Sequence, residues 1–212
     1  MTRKEKALLA VEKLEQRYPD ATCSLVSSSA YELLIATRLS AQCTDARVNI
    51  VTKPLFEKYK SIEEFACANI SDVENIIRSC GLYKTKARDI VNMCIKLRDE
   101  FDSIVPDSIE KLTTLPGIGR KTANLIMGDV YHKPAVVTDT HLIRISNRLG
   151  LVDTRDPYKV EMALKKILPP DKSNDFCHRI VHFGRDVCTA RNPKCENCEL
   201  KSFCKEYKKL DK

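Results

Sequence analysis

The sequence predicts an all-α protein, and three observations carry that expectation. Apolar residues recur at helical spacing along nearly the whole chain, strand-like alternation is almost absent, and helix-capping side chains stand ahead of several apolar stripes. Ala87, Ile90, Val91, Cys94 and Ile95 form one stripe; Leu142, Ile145 and Leu149 form another. The expectation is about ten short helices, without internal repeat, low-complexity tract or long flexible linker.

A chain of 212 residues can bury an apolar core as one body or as two small lobes. Its 36 Lys and Arg against 29 Asp and Glu leave a formal charge of +7, which suits a phosphate-rich or anionic partner but is also found on ordinary surfaces. Met1 to Lys6 leads into a charged amphipathic segment, so no secretory signal is expected, and no stretch approaches membrane-spanning length. The expected compartment is the cytosol, where the ten cysteines stay reduced. Clustered cysteines then point to metal binding rather than to disulfides.

Taken in order, Ser71 with Glu74 reads as a capping box, and Asp107 and Ser108 head a short helix from Ile109 to Leu112. Leu115-Pro116-Gly117-Ile118-Gly119 follows as a tight turn between helical segments. Pro116 fixes its own φ, while the glycines admit conformations closed to other residues. Arg120-Lys121-Thr122-Ala123-Asn124 starts the next helix, whose first amides offer a site for one backbone phosphate. From the Pro-Gly-x-Gly turn alone, a plain helix-to-helix connection is the competing reading. Lysine is almost wholly protonated at neutral pH, so a nucleophilic Lys121 needs neighbours that oppose its charge. The helix start and Arg120 do so, and partial desolvation is expected to add to them. Taken singly, Lys121 reads first as a phosphate contact.

Val136 to His141 puts Asp139 at the head of another helix, where it caps and can also work chemically. Asp156-Pro157 marks a further helix start. Four of the ten cysteines fall in the last 25 residues as Cys188-x6-Cys195-x2-Cys198-x5-Cys204. Four thiolates fit structural zinc or an iron–sulfur cluster; the spacing holds a single short chelate, Cys195 with Cys198, and so leans away from zinc without excluding it. Cys23, Cys43, Cys67, Cys80, Cys94 and Cys177 are scattered and read as small buried hydrophobes. His178 and His182, one turn apart with no third ligand, read as packing or phosphate-side residues.

Together, Leu39-Ser40-Ala41-Gln42, Leu115 to Asn124, Val137 to Arg144 and the cysteine tail resemble, in order and spacing, the endonuclease III family of DNA base-excision repair enzymes over nearly the whole chain. The resemblance implies two helical lobes with a DNA cleft between them. Residues 22–131 form a six-helix lobe with a helix-hairpin-helix, and residues 1–21 and 132–212 form a lobe of N- and C-terminal helices. It implies a 4Fe-4S cluster on Cys188, Cys195, Cys198 and Cys204. By the same resemblance Lys121 attacks C1′ of a damaged pyrimidine nucleotide, and the Schiff base formed permits β-elimination; Asp139 gives electrostatic and proton-transfer support.

The implied DNA contacts are Gln42 and Leu82 as inserting residues, Leu115, Gly117, Ile118, Gly119 and Arg120 in the hairpin, His141 and Arg144 beyond Asp139, and Arg191 and Lys194 between the first two cysteines. Read without the resemblance, Gln42 is a helix end and Leu82 a core leucine after Gly81. The implied partner is duplex DNA with damaged pyrimidines or abasic sites, met by a cytoplasmic, non-membrane monomer that is nucleoid-associated when bound. Cys43, Thr138 and Asp129 depart from the family pattern; they bear on lesion preference and the tuning of Asp139 but remove no catalytic group. The competing functions are a monofunctional glycosylase of the same superfamily and a non-catalytic iron–sulfur DNA-binding protein. Lys121 disfavours the first, as does a chain ending eight residues after Cys204, since adenine-specific relatives carry a further domain. Lys121 with Asp139 disfavours the second.

Overall fold

Helices supply all the regular structure among residues 1–210, the part of the chain that the computed structural model describes. In order they are α1 (Arg3–Arg17), α2 (Ala30–Ser40), α3 (Asp45–Lys58), α4 (Ile62–Ala66), α5 (Ile70–Ile77), α6 (Tyr83–Phe101), α7 (Ile109–Leu112), α8 (Arg120–Asp129), α9 (Thr140–Leu149), α10 (Pro157–Lys165), α11 (Ser173–Asp186) and α12 (Tyr207–Leu210), with short 3-10 turns between some of them. They fall into two units. Cys23–Tyr131 holds α2 to α8 and is called the hairpin unit; Met1–Thr22 with His132–Lys212 holds the rest and is called the cysteine unit. The hairpin unit thus has seven helical segments among its residues, two of which, α4 and α7, are about one turn long.

Most helices begin on a side chain that accepts a first-turn amide. Ser108 takes Lys111 N at 3.3 Å and Asp156 takes Lys159 N at 2.8 Å, as their sequence positions predict. Thr2 and Glu5 form a reciprocal capping box at α1. The box expected at Ser71 and Glu74 is not formed. Asn69 caps α5 instead, accepting both the Ser71 amide and the Ser71 hydroxyl, at 3.0 and 2.9 Å. An Asn side chain reaches the amide two residues on, so the helix begins before Ser71 can cap it.

In the hairpin unit α4 and α5 pack against α6, whose buried face carries Ala87, Ile90, Val91 and Cys94. Phe65 lies within 5.0 to 6.3 Å of the Tyr31, Phe56 and Tyr59 rings. In the cysteine unit α1 buries Ala7, Ala10, Val11 and Leu14, and α9 buries Leu142, Ile145 and Leu149. Each fully buried leucine here contributes roughly 1.5–3 kcal/mol. Arg179 of α11 is 4% exposed and joins that helix to the end of α1, donating to Tyr18 O at 3.3 Å and Glu15 Oε1 at 3.4 Å. His182 packs its ring against Tyr18.

Of the six scattered cysteines, Cys80, Cys94 and Cys177 are buried, as expected. Cys23 and Cys43 are half-buried, and Cys67 is exposed because it is the C-cap of α4, beyond that helix's buried face. No helix among the described residues is long and apolar enough to cross a membrane.

If Asn69 is the cap, Asn69→Ala should lower stability by about 1 kcal/mol in urea denaturation, and Glu74→Ala should change it little. Equal losses for the two variants would contradict the assignment.

Candidate functional site

The turn after α7 is set from below by an ion pair. Arg38 Nε and Nη2 donate to Asp89 Oδ2 at 2.9 and 2.6 Å, and both side chains are largely shielded from water. Gly117 lies directly over them with φ of 75°; a Cβ there would come within 2.5 Å of Arg38 Nε and 3.1 Å of Asp89 Oδ2. Glycine is therefore required twice, for conformation and for space. Leu115 and Ile118 are 2% and 5% exposed, so their side chains anchor the turn in the core while the backbone stays outside. A Cβ at Gly119 would meet nothing within 4 Å, and Gly119 brings no capping side chain to α8. A helix start without a capping side chain suits an outside acceptor of negative charge.

Lys121 stands in this first turn and is exposed. The partial desolvation expected from sequence is not supplied by the hairpin unit itself, because no wall of side chains covers the lysine. Asn124, one turn on, is 1% exposed and donates back to Arg120 O at 3.1 Å, which fixes the start of α8.

Gln42 and Leu82 are both exposed and both in the left-handed region, with φ of 56° and 47°. Leu82 is 58% exposed, so the core-leucine reading fails: Gly81, at φ 66°, turns the chain so that the residue after it points outward at the head of α6. A leucine held there costs about 1 kcal/mol or more in backbone strain.

In the cysteine unit Asp139 is half-buried and caps α9, its Oδ1 accepting Leu142 N at 2.7 Å. That bond occupies one carboxylate oxygen and orients the other. His141, Arg144 and Arg148 follow on one face of α9. His141 Nδ1 and Arg144 Nη2 lie 3.2 Å apart, and both press on Gly184 of α11, where a Cβ would stand 2.4 Å from the imidazole and 3.0 Å from the guanidinium. Arg144 also donates to Gly184 O and Cys188 O, at 3.3 and 2.9 Å. Arg148 donates to Thr189 O at 2.7 Å, Ala190 O at 3.1 Å and Cys188 Sγ at 3.3 Å, and its own carbonyl accepts Cys204 Sγ at 3.3 Å. Sequence reasoning missed Arg148. Its spacing of four from Arg144 was the available signal.

Cys188, Cys195, Cys198 and Cys204 are all half-buried and line one chamber of about 220 Å³ with Arg148, Leu149, Phe183 and Val187. Burial, with Glu199, Cys188 and Cys204 nearby, pushes the Cys198 thiol up to about 11; burial, Cys188 and Cys204 also raise Cys195. Four thiolates so placed repel one another until a cationic centre lies among them. Four sulfurs around a chamber of this size fit a polynuclear cluster. Arg191 and Lys194, on the same segment, are exposed; Lys194 Nζ lies 3.7 Å from Asp186 Oδ1.

Residues 35–170 match the family described as the HhH-GPD superfamily base excision DNA repair proteins, and residues 188–204 match the iron-sulfur binding domain of endonuclease III. The Synechocystis endonuclease III is 42% identical over 204 residues, 96% of this chain and 93% of that one; the Bacillus subtilis endonuclease III is 40% identical over 203 residues, 95% and 93%. The chain belongs to the endonuclease III family. A solved structure of a trapped endonuclease III–DNA covalent intermediate is 42% identical and covers all of both chains with a TM-score of 0.93. As in its family, the C-terminal segment is an iron–sulfur binding domain, and the chamber chemistry above agrees with a 4Fe-4S cluster.

Because Arg148 holds three groups of the first-ligand loop, Arg148→Met should yield protein with less iron and acid-labile sulfide and a lower unfolding temperature. Cys198→Ser should show the same pattern. A full iron and sulfide content in Arg148→Met, or stoichiometric zinc without sulfide in the unmodified protein, would contradict these assignments.

Proposed function

We propose that this chain is a bifunctional DNA glycosylase and abasic-site lyase that releases oxidised pyrimidines from duplex DNA and then cuts the strand. The observation that carries the reading is an exposed lysine on the first turn of α8, behind a glycine that brings no capping side chain, in a chain of the endonuclease III family. The reading brings with it a cytoplasmic, monomeric enzyme, at the nucleoid when DNA is bound.

Phosphates are held without regard to sequence, by the α8 amides, Gly117, Gly119 and Arg120 in one unit and by Arg191 and Lys194 in the other. With their side chains buried, Leu115 and Ile118 contribute backbone rather than side-chain contacts. His141 and Arg144 act through the loop they shape, since Arg144 is committed to the carbonyls of Gly184 and Cys188. Unstacking a nucleotide costs a few kcal/mol, and Gln42 and Leu82 offset it by filling the vacated space.

Seating DNA removes water from around the exposed Lys121 amine. The neutral amine attacks C1′ of the extruded deoxyribose; the bond from C1′ to the base breaks, and the base leaves with the electron pair and takes up a proton. The nitrogen loses a proton, the C1′–O4′ bond breaks, O4′ takes up a proton, and an iminium joins Lys121 Nζ to C1′. Loss of a proton from C2′ turns the iminium into an enamine, whose electrons return to form the C2′–C3′ double bond as the C3′–O bond breaks and the 3′ phosphate leaves, which cuts the strand; water then hydrolyses the iminium and frees the lysine. Asp139 supplies the carboxylate for electrostatic and proton-transfer support. The cluster on Cys188, Cys195, Cys198 and Cys204, when bound, supplies structure to the segment bearing Arg191 and Lys194.

Lys121→Gln should lose both base release and strand scission on a thymine glycol duplex by about 10³-fold or more, and Asp139→Asn by about 10²-fold, with duplex affinity nearly unchanged. Arg191→Ala or Lys194→Ala should weaken all duplexes alike and lower the salt slope. Base release without scission by the unmodified enzyme would overturn the lyase reading.

A further inference from the structure

Lys86 lies within the otherwise apolar buried face of α6, beside Ala87, Ile90 and Met93, and is 0% exposed. Its Nζ donates to Leu39 O and to Cys80 O, each at 2.8 Å. Leu39 is in the last turn of α2, and Cys80 ends the 3-10 turn Arg78–Cys80. Both carbonyls are helix-end groups, where partial negative charge gathers, and they act for the cation that burial acts against. The other charged or titratable groups acting on it are the Cys80 and Cys43 thiols and Arg38.

Past each of these carbonyls the chain runs directly into a strained residue. Gln42 follows Leu39 by three positions at φ 56°, and Leu82 follows Cys80 by two at φ 47°. The Lys86 amide also donates to Leu82 O, at 3.0 Å. One residue thus fixes the base of both loops, with its side chain on their two helix ends and its backbone on Leu82 itself. A filler at this place needs no charge, since methionine has nearly the same volume, and an uncompensated buried ion costs several kcal/mol. An ammonium brings up to three donors that can hold two backbones at one spacing.

We propose that Lys86 is a positioning residue for base extrusion: it locks the Gln42 and Leu82 loops at the spacing with which they enter the duplex. The assignment rests on the reading of Gln42 and Leu82 as inserting residues. The lysine never touches DNA, and its effect passes through those two side chains.

The test is a double-mutant cycle on the holoenzyme, with a duplex carrying thymine glycol beside 2-aminopurine, whose fluorescence reports unstacking. Lys86→Met should slow extrusion by about tenfold, and Leu82→Ala should also slow it. With Leu82→Ala and Gln42→Ala together as the second arm of the cycle, adding Lys86→Met should slow extrusion no further, within about twofold, if Lys86 acts through the two loops. Lys86→Gln, which keeps donors but reaches less far, should lie between wild type and Lys86→Met; it carries the cycle if the methionine variant does not fold. Multiplying losses, or a Lys86→Met rate equal to wild type while Leu82→Ala is slow, would overturn the role of Lys86. A wild-type rate in both Leu82→Ala and Gln42→Ala would instead remove the inserting reading on which it rests.

Discussion

A loop that leaves a helix end carries backbone carbonyls with no helical partner, and in both units a basic side chain from a neighbouring helix takes them up. Lys86 binds Leu39 O and Cys80 O; Arg148 binds Thr189 O and Ala190 O; Arg144 binds Gly184 O and Cys188 O. Charge-assisted bonds of this kind are stronger than neutral ones, and their partial burial shields them from water. The segments so held are the ones to which function is assigned. Loops of polar, strained backbone would otherwise sit at the low end of local stability.

This arrangement divides the basic residues into two groups with different work. Arg38, Lys86, Arg144, Arg148 and Arg179 are spent on internal partners, whereas Lys121, Arg191 and Lys194 are exposed. The cations that can face an anionic ligand are therefore only part of the 36 Lys and Arg. It is the placement of a few cations on rigidly held turns that gives binding direction, since phosphate contacts orient the partner while carrying no base information.

Much of the fold was legible because helical spacing and caps are local. The α6 and α9 stripes, the Ser108 and Asp156 caps and the chelating cysteines were readable without knowledge of any long-range contact. The Ser71 box failed through competition, since Asn69 stood close enough to capture the same amide first. The core reading of Leu82 from its residue type alone failed because apolar character signals burial unless the backbone before it turns outward, and the φ of Gly81 is invisible in sequence. The roles of Lys86 and Arg148 were illegible for a deeper reason, even though the spacing of Arg148 from Arg144 could be read. Their partners are carbonyls 47 and 41 to 42 residues away, or 6 in the case of Cys80, and every residue has a carbonyl. The desolvation expected at Lys121 likewise depends on what covers it, and the hairpin unit leaves it exposed.

The chemistry assigned to this framework converges on one nitrogen, the Lys121 amine. Borohydride reduction during turnover on a thymine glycol duplex, followed by proteolysis and tandem mass spectrometry, locates the trapped sugar on the chain. The expected result is a single adduct on the peptide containing Arg120 and Lys121, with the bond at Lys121 Nζ. An adduct on another amine, or base release with no adduct at all, would contradict it.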